Sequence, residues 1–412
     1  MKAIKLTYNN IKLETIKNIL KPTYIYIPLY SNTKCLVKKD MYVYKGQVIT
    51  TDEEGFNTHS SISGKVMGRT NYKDASNNEV RCLVIENDYK ELYEHKLINK
   101  KDISKYSKEE FIECIKETGI VGLGGAGFPT YKKYLPNNLE YLVINAVECE
   151  PLIQTDKTLS KEKIEEILEA IDAIIEINKF KKAIIVLKAS NENLIDIINQ
   201  YKGTYLNIEI ELVSNKYPNG WERKIINDVL KTKYDKYPIE KNIVVNNVGT
   251  IFAIYEALKY KKPLIERVIT ISGNNIVNPS NILVKVGTSL NEIIPNLGGI
   301  KYDGGYLVSG SVMTGIALDN IDTTIGKNNN CFLCLTKQPI KRISCINCGK
   351  CTDNCPVGLS PVLIRKNINN IKLLKKLKAD KCIECGLCSY ICPSKIEIKE
   401  VVKDAKGRCR DV

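Results

Sequence analysis

Histidine is nearly absent from this chain of 412 residues, which contains only His59 and His95. So few histidines disfavour both a histidine-rich metal site and histidine-based acid–base catalysis. The chain also lacks an apolar run near the roughly 20 residues that cross a bilayer. Its first residues contain no apolar signal-peptide core. The last two absences predict a soluble, intracellular protein, and the length of the chain predicts about two to four domains.

The formal net charge is +14, but the lysines are spread along the chain and alternate with glutamates. Nucleic-acid interfaces instead concentrate basic residues on one face, often among aromatic residues. We therefore expect no nucleic-acid partner. We interpret the lysine-rich surface as one that meets an acidic redox partner or anionic lipid headgroups.

Cysteine is abundant, and eight of the 15 cysteines form two copies of one pattern. The runs "CINCGKCTDNCP" and "CIECGLCSYICP" both read C-x2-C-x2-C-x3-C-P, the bacterial pattern for two [4Fe–4S] clusters. In such proteins the fourth cysteine of each run ligates the other cluster. The predicted ligands are Cys345, Cys348, Cys351 and Cys392 for one cluster, and Cys355, Cys382, Cys385 and Cys388 for the second. Structural zinc and free thiols are the alternatives, and the duplicated spacing disfavours both.

A glycine-rich stretch, "VGLGGAGFP", raises the question of a dinucleotide site. Gly122, Gly124 and Gly127 fit the spacing G-x-G-x-x-G, which is informative only between a strand and a helix. Here a helix-like, charged segment precedes the glycines, and Pro129 interrupts any helix after them. The pattern therefore predicts an irregular glycine loop rather than a Rossmann loop.

Changes in residue pattern divide the chain into four predicted domains. Residues 1–95 read as a lead-in and the short strands of a small β-sandwich. Residues 105–262 alternate strand and helix patterns, which predicts an α/β domain with a mostly parallel sheet. Residues 265–318 return to short strands with one helix, and residues 336–403 contain the cysteine runs. Between the last two, "CFLCL" is typical of a core strand rather than of a redox pair of cysteines.

Polar residues gather where predicted strands of the α/β domain end, in "NAVECEP" and "NNVGT". Open α/β sheets bind ligands at this edge, and a helix start can offer backbone N–H groups to a phosphate. Ordinary helix capping is the alternative for Asn and Thr. Because a glycine loop and two cysteine runs accompany these residues, we favour a ligand site.

Several motifs, taken in order, resemble the RnfC subunits of ion-translocating ferredoxin:NAD oxidoreductases. They are "GLGGAGFPTYKK", "INAVECEP", "KYPNGWE", "VVNNVGT", "GSVMTGIAL" and the paired cysteine runs. The first four are also similar, more distantly, to the flavin-carrying subunit of respiratory complex I. The likeness covers nearly the whole chain from about Ile27. It implies a multidomain α/β protein with a β-rich sandwich-hybrid domain, a modified Rossmann-like domain, a β-grasp domain of the SLBB type and a ferredoxin-like domain.

The resemblance also implies which residues meet FMN and NAD(H) in the α/β domain. The glycines would let the backbone approach both molecules, the lysine would face the flavin phosphate, and the two acids after the first strand would line the nucleotide pocket. The implied set is Gly122, Gly124, Gly125, Gly127, Lys133, Asn145, Glu148, Glu150, Tyr217, Gly220, Glu222, Asn246, Asn247 and Thr250. Val147 and Trp221 depart from the complex I pattern, which has an aspartate and a glutamate there.

The mechanism that this implies is electron transfer without a catalytic acid or base of the protein. A nicotinamide exchanges electrons in pairs and a cluster exchanges them singly, whereas a flavin does both, so FMN would link the two. We expect an oxidoreductase subunit that works with other Rnf-type subunits and a ferredoxin-type redox partner, on the cytoplasmic face of the cell membrane. The alternatives are a PrdC-like soluble protein that feeds proline reductase and an iron–sulfur adapter without flavin.

Overall fold

The computed structural model describes residues 2–6, 13–19, 21–95, 97–100 and 102–410. Their backbone forms four β-sheets, and the elements are numbered here along the chain. No helix within these ranges has both the length and the apolar composition of a membrane span.

The first eight strands lie before residue 88. Their bounds are β1 Ile16–Lys17, β2 Tyr24–Pro28, β3 Thr33–Cys35, β4 Tyr42–Val43, β5 Val48–Asp52, β6 Asn57–His59, β7 Gly64–Lys73 and β8 Glu79–Asn87. Two antiparallel sheets result, in the orders β2-β8-β7-β4 and β3-β5-β6. Side chains of alternate residues, such as Ile25 and Ile27 of β2, are buried in one apolar core. The predicted sandwich of short strands is confirmed.

An alternation of helices and strands follows. Its elements are α1 Lys108–Glu117, β9 Tyr141–Asn145, α2 Thr155–Glu162, α3 Ile164–Asn178, β10 Lys182–Lys188, α4 Glu192–Asn199, β11 Ile208–Val213, α5 Glu222–Val229, β12 Ile243–Asn247 and α6 Val248–Tyr260, with short 3-10 helices at Thr130–Tyr134 and Pro238–Lys241. The strands pair only in parallel, in the order β11-β10-β9-β12. The predicted parallel sheet is confirmed.

The order of these strands determines where a ligand can bind. The chain moves outward from β9 to β10 and β11, and it then returns to the other side of β9 as β12. Open α/β sheets bind ligands at such a reversal, beside the carboxyl ends of the strands. The register places Asn145 of β9 directly beside Asn247 of β12 at that edge.

A six-stranded mixed sheet comes next in the chain. Its further elements are β13 Glu266–Ser272, β14 Ser280–Lys285, α7 Leu290–Asn296, β15 Tyr306–Ser309, β16 Ile316–Leu318 and β17 Cys331–Leu335. The strand order is β1-β14-β13-β17-β15-β16, in which β1 and β17 come from outside residues 265–318. Cys331 and Cys334 are buried in β17, so the prediction of a core strand is confirmed.

The cysteine runs lie among helices near the end of the chain. The helices are α8 Lys350–Asp353, α9 Pro361–Lys366, α10 Ile371–Lys376, α11 Leu387–Tyr390 and α12 Ile398–Arg410, with a 3-10 turn at Ala379–Lys381. Ile364, Leu374 and Val402 form a small core here, together with the buried Cys351 and Cys392.

Candidate functional site

The glycine loop connects helix α1 to the 3-10 helix Thr130–Tyr134. It closes on itself because the Gly122 N–H donates to the Phe128 carbonyl at 2.8 Å and the Gly127 N–H donates to the Gly122 carbonyl at 3.1 Å. Gly125 has φ +110° and Gly127 has φ +65°, values that favour glycine. The loop follows helix α1 and not a strand, as the flanking sequence predicts.

The loop is held against the start of helix α6. The Leu123 N–H donates to Thr250 Oγ1 at 2.9 Å, and the buried Arg267 guanidinium donates to the Leu123 carbonyl at 3.3 Å. A Cβ on Gly124 would lie 3.3 Å from the Cβ of Asn247. This close approach leaves little room for any side chain at Gly124.

Lys133 extends from the 3-10 helix beneath the end of β12. Its Nζ donates to the Val245 carbonyl at 2.7 Å and to Asn246 Oδ1 at 3.1 Å. No carboxylate of the described residues lies within ion-pair distance of this ammonium group. Burial lowers the pKa of Lys133, although the Glu222 carboxylate acts in the opposite direction. An enclosed cation held only by neutral dipoles fits an anionic group such as a phosphate.

Two asparagines link the strand ends to the elements around them. Asn145 donates from Nδ2 to the Gly220 carbonyl at 2.9 Å, which ties β9 to the segment before α5. Asn247 accepts from the Gly249 N–H at 2.9 Å and so caps α6, while its Nδ2 donates to Asp156 Oδ2 at 2.5 Å. Both amides are therefore fixed in orientation by protein partners.

Glu148 caps helix α2, whose N-cap residue makes no side-chain capping bond. Its carboxylate accepts from the Asp156 N–H at 3.1 Å. Burial, followed by repulsion from Asp156, raises the pKa of Glu148. Burial also raises the pKa of Asp156. Two enclosed carboxyl groups thus stand together beside the strand ends, and the negative charge of each disfavours ionisation of the other.

Glu150 is held by hydroxyl groups. It accepts hydrogen bonds from Thr314 Oγ1 at 2.8 Å, from the Tyr217 hydroxyl at 3.3 Å, and from Ser311 Oγ. Burial raises the pKa of Glu150, and the three hydroxyls partly offset this effect. The acid therefore joins the first strand end to the loop between β15 and β16.

These elements enclose a cleft of about 250 Å³ at the reversal of the sheet. The predicted residues that line it are Gly124, Asn145, Glu148, Glu150, Tyr217, Gly220 and Asn247. The other predicted residues do not line this cleft, namely Gly122, Gly125, Gly127, Lys133, Glu222, Asn246 and Thr250. Lys133, Asn246 and Thr250 instead contact the loop or strand beside it. Glu222 accepts from the Tyr234 hydroxyl at 2.9 Å.

Some lining residues were not singled out from the sequence. Thr314 lies within the "GSVMTGIAL" motif, so a signal for it was present, whereas Asp156 and Asn330 carry no distinctive pattern. Val147 and Trp221, which depart from the complex I pattern, also line the cleft. The close-approach glycine and the open cleft, with the unpaired Lys133 charge nearby, fit a flavin with its phosphate.

One wall of the cleft is formed by the second cysteine run. Ile383 and Cys385 line the cleft directly. The Tyr217 hydroxyl donates to the Cys385 carbonyl at 2.8 Å, and Tyr217 packs with Met313 and Leu387. The cleft and this cysteine run are therefore in direct contact.

The same run lines a separate small cavity together with a cysteine of the first run. The four cysteines around it are Cys355, Cys382, Cys385 and Cys388. The Leu359 N–H donates to Cys355 Sγ at 3.3 Å, and the Glu384 N–H donates to Cys382 Sγ at 3.4 Å. Such N–H···S bonds orient and stabilise ligating sulfurs. This donor set matches the second predicted cluster.

Two hydrogen bonds join the chain beside the other four predicted cysteine ligands. The Ile343 N–H donates to the Ser394 carbonyl at 3.3 Å, and Ser394 Oγ donates to the Ser344 carbonyl at 3.1 Å. These bonds join the segment after Cys392 to the segment before Cys345. Within the described residues, no three Cys, His, Asp or Glu side chains converge closely enough to hold a single metal ion. A four-iron cubane is wider than one ion, so the cysteine spacing fits clusters better than zinc.

Three family models match the chain. A model described as RnfC Barrel sandwich hybrid domain matches residues 5–90. The Nuo51 FMN-binding domain matches residues 115–256, and a 4Fe-4S dicluster domain matches residues 344–396. The chain thus contains an FMN-binding domain and a domain for two iron–sulfur clusters.

Named relatives extend over most of the chain. A subunit of the proton-translocating ferredoxin:NAD(+) oxidoreductase complex of Clostridium ljungdahlii is 32% identical over 83% of this chain and 78% of its own. A subunit of the Na(+)-translocating ferredoxin:NAD(+) oxidoreductase complex of Acetobacterium woodii is 30% identical over 84% and 81%. A chain in the crystal structure of NAD+-reducing [NiFe]-hydrogenase in the H2-reduced state shares the fold. Its TM-score is 0.55 at 15% identity, over 75% of this chain and 64% of that chain. This chain belongs to the RnfC family, whose members are subunits of ion-translocating oxidoreductase complexes.

Proposed function

We propose that this subunit transfers electrons between NAD(H) and a redox partner through one FMN and two [4Fe–4S] clusters. Its FMN-binding and dicluster domains make it an electron-transfer protein. The relatives of known role are named for ferredoxin, NAD+ and ion translocation. We extend those roles to this chain: other Rnf-type subunits as partners, a ferredoxin-type donor or acceptor, and a peripheral position on the cytoplasmic face of the cell membrane.

The protein's task at the flavin is to bind and orient it. When bound, FMN supplies an exchange between paired and single electrons. We assign Lys133, with Asn246 and Thr250 behind the loop, to the phosphate end, because Lys133 has an unpaired positive charge. Gly124 and Asn145 line the cleft, and we assign them to the flavin ring. Glu148 and Glu150 would shape the nucleotide pocket. Tyr217, Gly220 and Glu222 would approach the flavin, and Asn247 would join the phosphate contacts.

The order of the two clusters carries this proposal. Cys385 lines the flavin cleft and accepts a hydrogen bond from Tyr217, so the cluster on Cys355, Cys382, Cys385 and Cys388 is the proximal one. The cluster on Cys345, Cys348, Cys351 and Cys392 is the distal one, and its Cys348 is exposed to solvent. Electrons would therefore pass singly from the cleft to the cluster that includes Cys385, and then to the cluster that includes the exposed Cys348.

The four predicted domains fit these roles. Residues 105–262 would bind flavin and nucleotide, and residues 336–403 would hold both clusters. Residues 1–95 and 265–318 would pack against the flavin domain, and Thr314 of the latter range already contacts Glu150.

Anaerobic stopped-flow mixing with NADH, followed by rapid-freeze EPR, tests the order. In Cys348→Ser, flavin reduction by NADH and reduction of the proximal cluster should stay near the wild-type rate. In Cys385→Ser, reduction of the distal cluster by NADH should fall at least about tenfold. The function fails if NADH does not reduce the flavin. If NADH reduces the distal cluster at the wild-type rate in Cys385→Ser, the assigned order of the two clusters is wrong, although the proposed function still holds.

A further inference from the structure

The chain segment that contains the first two distal cysteines exposes large apolar side chains. Ile340, Ile343 and Ile346 are 58%, 50% and 59% exposed. Residues 340–348, called here the isoleucine segment, end at the exposed Cys348. Contiguous apolar surface on a protein marks an interaction site more often than single exposed residues do. The three exposed isoleucines lie within seven residues of one another in the chain, next to the distal ligands Cys345 and Cys348.

The segment is fixed in place by the second cysteine run. The bonds of Ser394 to residues 343 and 344, described above, join it to the turn after Cys392. Arg342 also forms an ion pair with Glu397. The isoleucines are therefore presented on a structured surface.

Positive charge surrounds the isoleucine segment. Residues 336–352 contain Lys337, Lys341, Arg342 and Lys350 but no Asp or Glu. Among the described residues no carboxylate lies within ion-pair distance of these three lysines, so their charge faces solvent. The wider region has the same bias, since residues 336–412 contain 17 Lys and Arg against 7 Asp and Glu. Residues 1–335 contain 44 Lys and Arg against 40 Asp and Glu.

This distribution corrects the interpretation from the sequence that the basic charge is evenly spread. Most of the net positive charge lies in the region of the clusters. A charge of one sign around a docking surface raises the rate at which an oppositely charged protein finds it. Small, transient contacts with an apolar centre and a charged rim are typical of electron-transfer encounters.

We propose that the isoleucine segment is the docking site for a small acidic iron–sulfur protein that carries one electron at a time. The proposal rests on the proposed function, because it needs the distal cluster as the terminus for electron exchange. In each encounter one electron passes between the two iron–sulfur centres. The donor is oxidised by one electron and the acceptor is reduced by one, and no bond or proton changes. Carboxylates of the carrier would face Lys337, Lys341 and Lys350, around apolar contact with the isoleucines.

The test uses the full chain with flavin and both clusters bound, reduced chemically so that NADH is not required. It is mixed anaerobically with a purified acidic [4Fe–4S] ferredoxin, and the second-order rate constant of electron exchange is measured. The variant Ile343→Glu/Ile346→Glu should lower this constant at least tenfold. Ile300→Glu, at a 45% exposed isoleucine remote in sequence, is the matched control and should leave it unchanged.

A charge variant protects the test against local misfolding. Lys341→Glu should lower the rate constant several-fold and weaken its dependence on salt, whereas Lys202→Glu at another exposed lysine should not. Iron content, EPR signals and exchange with a small viologen dye should be unchanged in every variant, because none removes a ligand. Wild-type rates in both variants overturn the proposal. The proposal is also overturned if anionic vesicles compete for the isoleucine segment and the ferredoxin does not. It is overturned as well if the only effect of the substitutions is that the chain no longer self-associates. A failure of NADH to reduce the flavin would count only against the proposed function.

Discussion

The α/β region and the region of the cysteine runs keep their shapes by different means. Strands β9, β10 and β12 of the parallel sheet are covered on both faces, and β10 has five consecutive buried residues between its two end lysines. The cysteine region instead has a small core, and two of its buried members, Cys351 and Cys392, are proposed ligands. Burial of aliphatic side chains can therefore hold the first region without cofactor. The second depends on its metal to complete the core.

The two regions also differ in how their binding sites are formed. In the flavin cleft, Asn145, Asn247 and Glu150 are held by hydrogen bonds to other protein groups. Around the smaller cavity, the thiols of Cys355 and Cys382 each accept a hydrogen bond from a backbone N–H group. We thus expect the cleft to persist when flavin is removed and the cysteine loops to loosen when iron is removed.

Removal of two proximal ligands should have the largest effect. The variant Cys382→Ala/Cys388→Ala should lose about half of its iron and sulfide, since one of two cubanes has lost its thiolates. Limited proteolysis should then cut the chain after residue 336 while the α/β region stays intact. Cys114→Ala, at a buried thiol of helix α1, should keep all its iron. Full iron in the double variant would contradict the ligand assignment.

A methyl group added in the flavin cleft should disturb the α/β region and leave the cysteine region unchanged. A Cβ on Gly220 would lie 2.4 Å from the Val147 carbonyl oxygen and 2.9 Å from Cys149 Sγ. Such overpacking costs about 2–3 kcal/mol. Gly220→Ala should therefore lose FMN and lower the unfolding temperature, as measured by flavin fluorescence and calorimetry, while iron is retained. Gly203→Ala, where no heavy atom lies within 4 Å, is the control and should match wild type.

Loss of the enclosed charge should weaken flavin binding with little effect on the fold. Lys133→Met should raise the Kd for FMN by roughly 10- to 100-fold, the value of one or two charge-assisted hydrogen bonds. Lys133→Arg keeps the charge and should recover part of the affinity. The flavin-free variant should be at least as stable as wild type, because a buried cation without a counterion is removed. If titration with FMN gives the same Kd for Lys133→Met and for wild type, the flavin phosphate does not bind at Lys133.

The smallest expected effect is on pH dependence in the flavin-free protein. Burial and the Asp156 charge raise the pKa of Glu148 to about 8, above that of the unfolded chain. The folded state then binds more protons than the unfolded state, so stability falls as pH rises from the ordinary carboxyl range toward 8. Glu148→Gln should flatten this slope by on the order of 1 kcal/mol per pH unit, read from urea midpoints at both ends of the range. An unchanged slope would assign the effect to other groups.

Local patterns were enough to predict the α/β alternation and the cysteine runs. Helix α3 repeats isoleucine on one face, and the cysteine spacing is set by cluster geometry, so each is visible in a short window. The position of β17 between β13 and β15 was not visible, because it depends on pairing between distant segments. The role of Glu148 was also hidden. A carboxylate reads alike as a nucleotide ligand and as a helix cap, and only the fold brings it to α2.

Tyr217 connects three parts of the molecule that are far apart in sequence. Its backbone N–H and carbonyl pair with Ile4 at 2.8 and 2.9 Å, the residue is 3% exposed, and its hydroxyl donates a hydrogen bond to the Cys385 carbonyl. Oxygen that destroys the nearby cubane would free the loop that contains Cys385 and leave the hydroxyl without its carbonyl acceptor. We therefore expect oxidative damage to spread: a chain that has lost its iron to air should also release its yellow cofactor faster.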